Sequence, residues 1–117
     1  MSTLLYAFFS DFEEIKRDIV KRLRKIINGL SNNDFSTMQL SMPVESSNYV
    51  TKRVRIFLLN AVERILRLKD LSELLRIFNE YSREEELLEK KKVLNLEERS
   101  RLIALRLIRN IIEKEIK

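Results

Sequence analysis

From Val50 to Lys117 the chain contains neither glycine nor proline. Its one glycine, Gly29, and its one proline, Pro43, flank a single stretch rich in Asn and Ser. These two residue types are the usual interrupters of helices. The chain therefore reads as a helix, a break and a long helical block. The fold class that follows is all-α: a bundle of about five helices, the C-terminal ones long, with an irregular connection over 30–49. At 117 residues it reads as one domain with one core. Its parts are an N-terminal helical segment (1–29), a linker (30–49) and a helical block (50–117).

Histidine, cysteine and tryptophan are absent. That removes the usual zinc ligands, the commonest general base near neutral pH and any disulfide framework. One glycine cannot build a phosphate cradle. The clustered acids Glu84-Glu85-Glu86 and Glu97-Glu98 are read as helix-start carboxylates rather than catalysts or metal ligands. No catalytic, cofactor or metal residue is expected, and the protein is read as a non-enzyme that binds no small molecule. The apolar run Leu4 to Phe9 is too short for a leader, and no window is apolar enough for a membrane span. A soluble, cytoplasmic protein is the expectation. Dense charge of both signs without His or Cys suits a thermophile, although eight asparagines pull the other way.

Periodicity sets the elements. Ser10 to Glu13 (Ser-Asp-Phe-Glu) reads as a capping box. After it Phe12, Ile15, Ile19, Leu23, Ile26 and Leu30 line one helix face. Leu4 to Phe9 is either a short first helix or an extended arm, and Asn28-Gly29 ends the segment through glycine's tolerance of left-handed geometry. In the break, Met38, Leu40, Met42 and Val44 alternate, as a short strand or a linker would. Val50 to Leu68 carries the stripe Val50, Val54, Phe57, Leu58, Ala61, Ile65 and Leu68. Ile56, Leu59, Val62 and Leu66 widen it, so this helix is expected to be buried between neighbours, one of them a second polypeptide. Helix starts are read at Asp70 to Glu73, Ser82 to Glu85 and Asn95 to Glu98. The last helix has two stripes: Leu96, Ile103, Leu107, Ile111 and Leu105, Ile108, Ile112, Ile116. Val54, Phe57, Leu58, Ala61 and Ile65, with Leu105, Ile108 and Ile112, form the candidate partner interface of a homo- or hetero-oligomer.

Charge is segregated. Lys16 to Lys25 and Lys52 to Lys69 are each +5, Asp70 to Glu98 is −4 and Arg99 to Lys117 is +4, within a net charge of +5. Segments so arranged attract each other or complementary chains. Lys21, Arg22, Arg24 and Lys25, with Lys52, Arg53 and Arg55 at the start of the next helix, are candidate nucleic-acid contacts. Cations at a helix start oppose its dipole, so a nearby phosphate, a partner carboxylate or the chain's own acidic segment should offset them. No sequence-reading motif accompanies them, so any binding would follow the backbone and weaken with salt.

Two stretches carry a resemblance. Asp11 to Ile27 (DFEEIKRDIVKRLRKII) resembles the early helix of archaeal GINS subunits, and Leu94 to Ile112 (LNLEERSRLIALRLIRNII) resembles the opening of a late helix in that family. Val62 to Leu74 is loosely similar to its central helix. GINS subunits usually add a small β domain, for which this chain has no room, and Arg83 to Lys92 lengthens the gap before the last motif. The resemblance implies the helical domain of a replisome scaffold, with protein partners, no catalytic residues and a part in DNA replication. With or without the resemblance, Phe12, Ile15 and Ile19, with Leu102, Leu105 and Ile108, are expected helix-packing positions. The alternatives are a small basic subunit that coats nucleic acid, comparable to the small subunits of CRISPR effector complexes, and a homo-oligomeric helical protein.

Overall fold

The computed structural model describes residues 2–30 and 44–116, with side chains from 11 to 30 and from 46 to 116. Four helices form: α1 (Ser2–Gly29), α2 (Val44–Leu66), α3 (Leu71–Glu89) and α4 (Leu96–Ile116). The described residues contain no strand. Met38, Leu40 and Met42 lie outside the described residues, and Val44 is helical rather than part of an extended arm.

Two of the four capping boxes are real helix starts. Asp70 caps α3, its Oδ1 accepting from the Glu73 amide at 2.9 Å, while Glu73 Oε1 accepts from the Lys69 amide at 2.7 Å. Asn95 caps α4 reciprocally: its Oδ1 accepts from the Glu98 amide at 2.7 Å, and Glu98 Oε1 accepts from the Asn95 amide at 3.2 Å. Each such cap contributes about 1 kcal/mol by satisfying amides that a helix start leaves open. Ser10 and Ser82 are helix interior instead, which is why there are four helices and not five. A serine inside a helix costs only about half a kcal/mol, less than exposing the eight backbone groups of a new end and start. Leu4 to Phe9 is accordingly the first part of α1, which at 28 residues is the longest helix. Gly29 closes α1 without adopting left-handed backbone. The 30–49 connection is shorter than expected, because α2 begins at Val44.

α4 is the hub. It packs against α1, α2 and α3, whereas α1 also meets α2, and α3 meets α2 only lightly. Burial follows the apolar periodicity. Phe12, Ile19 and Leu23 on α1, Val50, Val54, Leu58, Ala61 and Ile65 on α2, Leu74, Ile77 and Tyr81 on α3, and Leu105, Ile108 and Ile112 on α4 share one core. Ile15 packs against it half-buried, and Leu102 is buried. Small polar residues let helices approach closely. Ser47, Thr51 and Ser100 are fully buried, and Thr51 and Ser100 turn their hydroxyls back to the Ser47 and Leu96 carbonyls at 2.8 and 2.7 Å.

Candidate interaction surface on helices α1 and α2

The residues read as a partner interface are core residues of this chain. Val54, Leu58, Ile65, Leu105, Ile108 and Ile112 are fully buried and Ala61 nearly so. Only Phe57 is half-buried. Apart from Phe57, their apolar surface already meets the chain's own helices and leaves little for a second polypeptide. The correction has a simple geometric cause. A helix with two apolar faces needs two neighbours on those faces, and α2 has α1 and α4 on one side only. Its other face carries Ile56, Leu59 and Leu66, each between 42% and 46% exposed. Exposed large apolar residues elsewhere, such as Leu75, Leu87 and Val93, are scattered.

Phe57 takes part in a ladder that spans three helices. Arg53 and Arg101 lie on its ring, 4.9 and 5.0 Å from the centroid. Arg101 also reaches Tyr81 at 5.9 Å, and Arg64 lies over Tyr81 at 5.5 Å. Each guanidinium is held in turn by a carboxylate. Arg53 donates to Glu97 through Nε at 2.8 Å and Nη2 at 2.6 Å, Arg101 Nη2 donates to Glu84 at 2.9 Å, and Arg64 pairs with Glu80. Guanidinium–ring contacts of this kind contribute about 0.5–1 kcal/mol at exposed sites. The ladder ties α3 to α2, which otherwise scarcely touch.

Most of the acidic segment is therefore committed inside the molecule. Glu80, Glu84, Glu85, Glu89, Glu97 and Glu98 all pair with cations of α2, α4 or the loop before α4. The candidate nucleic-acid cations divide accordingly. Arg53 is engaged by Glu97, Arg55 donates to the Leu30 carbonyl at 2.8 Å, and Arg22 pairs with Glu115 at 2.9 Å. Lys52, Arg53 and Arg55 do not crowd a helix start, because α2 begins at Val44 and the dipole's effect fades within one turn.

Lys21, Arg24 and Lys25 remain exposed, and among the described residues they form no ion pair. With Arg17, at spacings of four, three and one, they make a stripe along the outer face of α1. Beside it runs a groove of about 720 Å³ lined by Lys16, Arg17, Val20, Arg24 and, from α2, Leu66. Lys16 crosses the groove floor and donates to the Leu68 carbonyl at 2.9 Å. A basic stripe and an apolar strip thus lie side by side. Sequence reading found the cations and saw that Ile56, Leu59 and Leu66 widen the apolar stripe of α2, but it put the candidate interface on the buried stripe, since periodicity alone does not say which face the chain's own helices cover.

No group of three or more acidic residues that could hold a metal occurs among the described residues. Glu97 is held below the ordinary carboxylate range by hydrogen bonds from Arg53 and then Tyr49, whose hydroxyl donates at 2.8 Å. Glu98 is held low by Lys91 and then by the Asn95 amide. A carboxylate depressed in the folded state supports folding above its unfolded value and loses that support as pH falls through the folded value. Stability should decline as pH drops from about 5 toward 3, and Glu97→Gln should flatten that decline. Urea titrations across that range would check it. Among the described residues, no helix is long and apolar enough to cross a membrane.

No family model, no curated protein and no solved structure matches the chain.

Proposed function

We propose that this chain is a non-catalytic helical interaction subunit, which binds another macromolecule through the α1–α2 side of its bundle. One observation carries the reading. Leu66, at one end of the exposed Ile56, Leu59 and Leu66 face of α2, shares a groove with Arg17, Lys21, Arg24 and Lys25, which form no ion pair among the described residues, while most of the acidic segment is occupied internally. An exposed apolar strip beside a cation-rich stripe suits an amphipathic partner that presents carboxylates to the α1 side. A scaffold role of this kind is also what the resemblance to archaeal GINS subunits implies, with a place in DNA replication. The apolar strip favours protein as the partner, because phosphate backbones offer it nothing to bury.

Lys21, Lys25 and Lys52 supply amines on this side, so amine-directed cross-linking in native extract tests the reading. Cross-links should converge on these three lysines, and Leu59→Glu should remove them without loss of helix content. Cross-links confined to α3, or turnover of a small molecule by the purified chain, would count against it.

A second reading is favoured by the alignment of the α1 cations. In it the stripe tracks the backbone of single-stranded nucleic acid. Four such contacts give a log–log salt slope of about −3. Fluorescence anisotropy against salt measures it, and Lys21→Glu with Arg24→Glu should abolish the binding.

A further inference from the structure

The exposed face of α2 has a pattern of its own. Tyr49, Lys52, Ile56, Leu59, Glu63 and Leu66 follow one another at spacings of three, four, three, four and three. That is the alternation of a coiled-coil seam. All six are exposed, and the core residues of α2 lie on the opposite face. The seam covers 18 residues of an already folded helix, about 27 Å at 1.5 Å per residue.

We infer that α2 pairs antiparallel with α2 of a second copy of this chain along this seam. The inference rests on the interaction-subunit reading and names the occupant of its apolar strip. Self-complementarity is the argument. When two copies of the seam run in opposite directions, one register places Ile56 against the second copy's Leu59. The same register places Lys52 against the second copy's Glu63, and Tyr49 against the second copy's Leu66. The three layers agree because the residue numbers of each pair have the same sum. A two-fold axis then repeats every layer on its other side, which is what a closed dimer requires. The centre is apolar, an ion pair flanks it on each side, and a Tyr–Leu contact closes each end. The parallel in-register alternative sets Lys52 against Lys52 and Glu63 against Glu63, so like charges oppose it. The Tyr49 ring is already anchored by its hydroxyl bond to Glu97, which lowers the entropy cost of placing it.

Sedimentation equilibrium of the full chain, over a range of concentrations, tests the pairing. The expected species is a reversible dimer. Ile56→Glu, at an exposed position, should keep the helical circular dichroism and weaken the dimer at least about tenfold. Lys52→Glu alone and Glu63→Lys alone should each weaken it, because each sets like charges in two layers. The two together should restore it to within about threefold. That rescue is specific to the antiparallel register. A monomer at every concentration overturns the pairing, as does a dimer indifferent to Ile56→Glu or a charge swap without rescue. A monomer that still captures a different protein through Leu59 sinks the pairing alone and leaves the interaction-subunit reading standing.

Discussion

Leu105→Ala should lower the unfolding free energy by about 2–5 kcal/mol. Leu105 is fully buried on α4, the helix on which the other three converge. Truncation removes its apolar burial and leaves a void that neighbours on three helices cannot all close. Domains of this size are stable by only about 5–15 kcal/mol, so the variant should be marginal. Urea denaturation should show a lower midpoint with an unchanged slope. Leu87→Ala is the control. Leu87 is 59% exposed, and its truncation should change stability by less than about 0.5 kcal/mol. Equal effects at the two sites would mean that α4 is not the hub.

Arg109→Ala should cost about 3 kcal/mol, through the carboxylate it leaves behind. The Glu85 side chain is only 8% exposed, and Arg109 pairs with it through Nε. Its remaining cation, Arg106, is 3.6 Å away and half-exposed. A buried charge deprived of its main partner loses the interaction that offset its desolvation. The sign of the second substitution is the informative part. Adding Glu85→Met removes the stranded charge and keeps the volume, so the double variant should regain most of the loss. A double-mutant cycle from thermal or urea unfolding measures this. If the double variant is worse than Arg109→Ala, Glu85 is held by contacts other than its arginines.

The same pair shows how far the residues could be read before folding. Glu85 reads in sequence as a helix-start carboxylate, yet it lies well inside α3, and its burial depends on α4 lying across α3. Local chemistry carried well where it was self-contained. Asp70 with Glu73, and Asn95 with Glu98, sit within one turn of each other and cap as their spacing implies. Ser82 with Glu85 has the same spacing and caps nothing, since the competing option was simply to continue a helix. The core stripe Val50, Val54, Leu58, Ala61 and Ile65 follows from a period of 3.6 residues. Ile56, Leu59 and Leu66 obey the same period and are exposed, because the number of neighbours is a property of the whole bundle. The Arg53–Phe57–Arg101–Tyr81–Arg64 ladder had no sequence signal at all. Three members lie on α2, but Tyr81 and Arg101 come from α3 and α4, so the ladder closes only when three helices are in place.

The central place of α4 bears on how the protein is made. Ribosomes deliver the chain from its N-terminal end, so α1, α2 and α3 emerge first. Of these only α1 and α2 have a substantial mutual contact. Until α4 has left the exit tunnel, the nascent chain holds three helices with their apolar faces open. Final collapse is then tied to the last of these four helices to appear, and a chaperone that shields leucine-rich helices would have its opportunity during that wait.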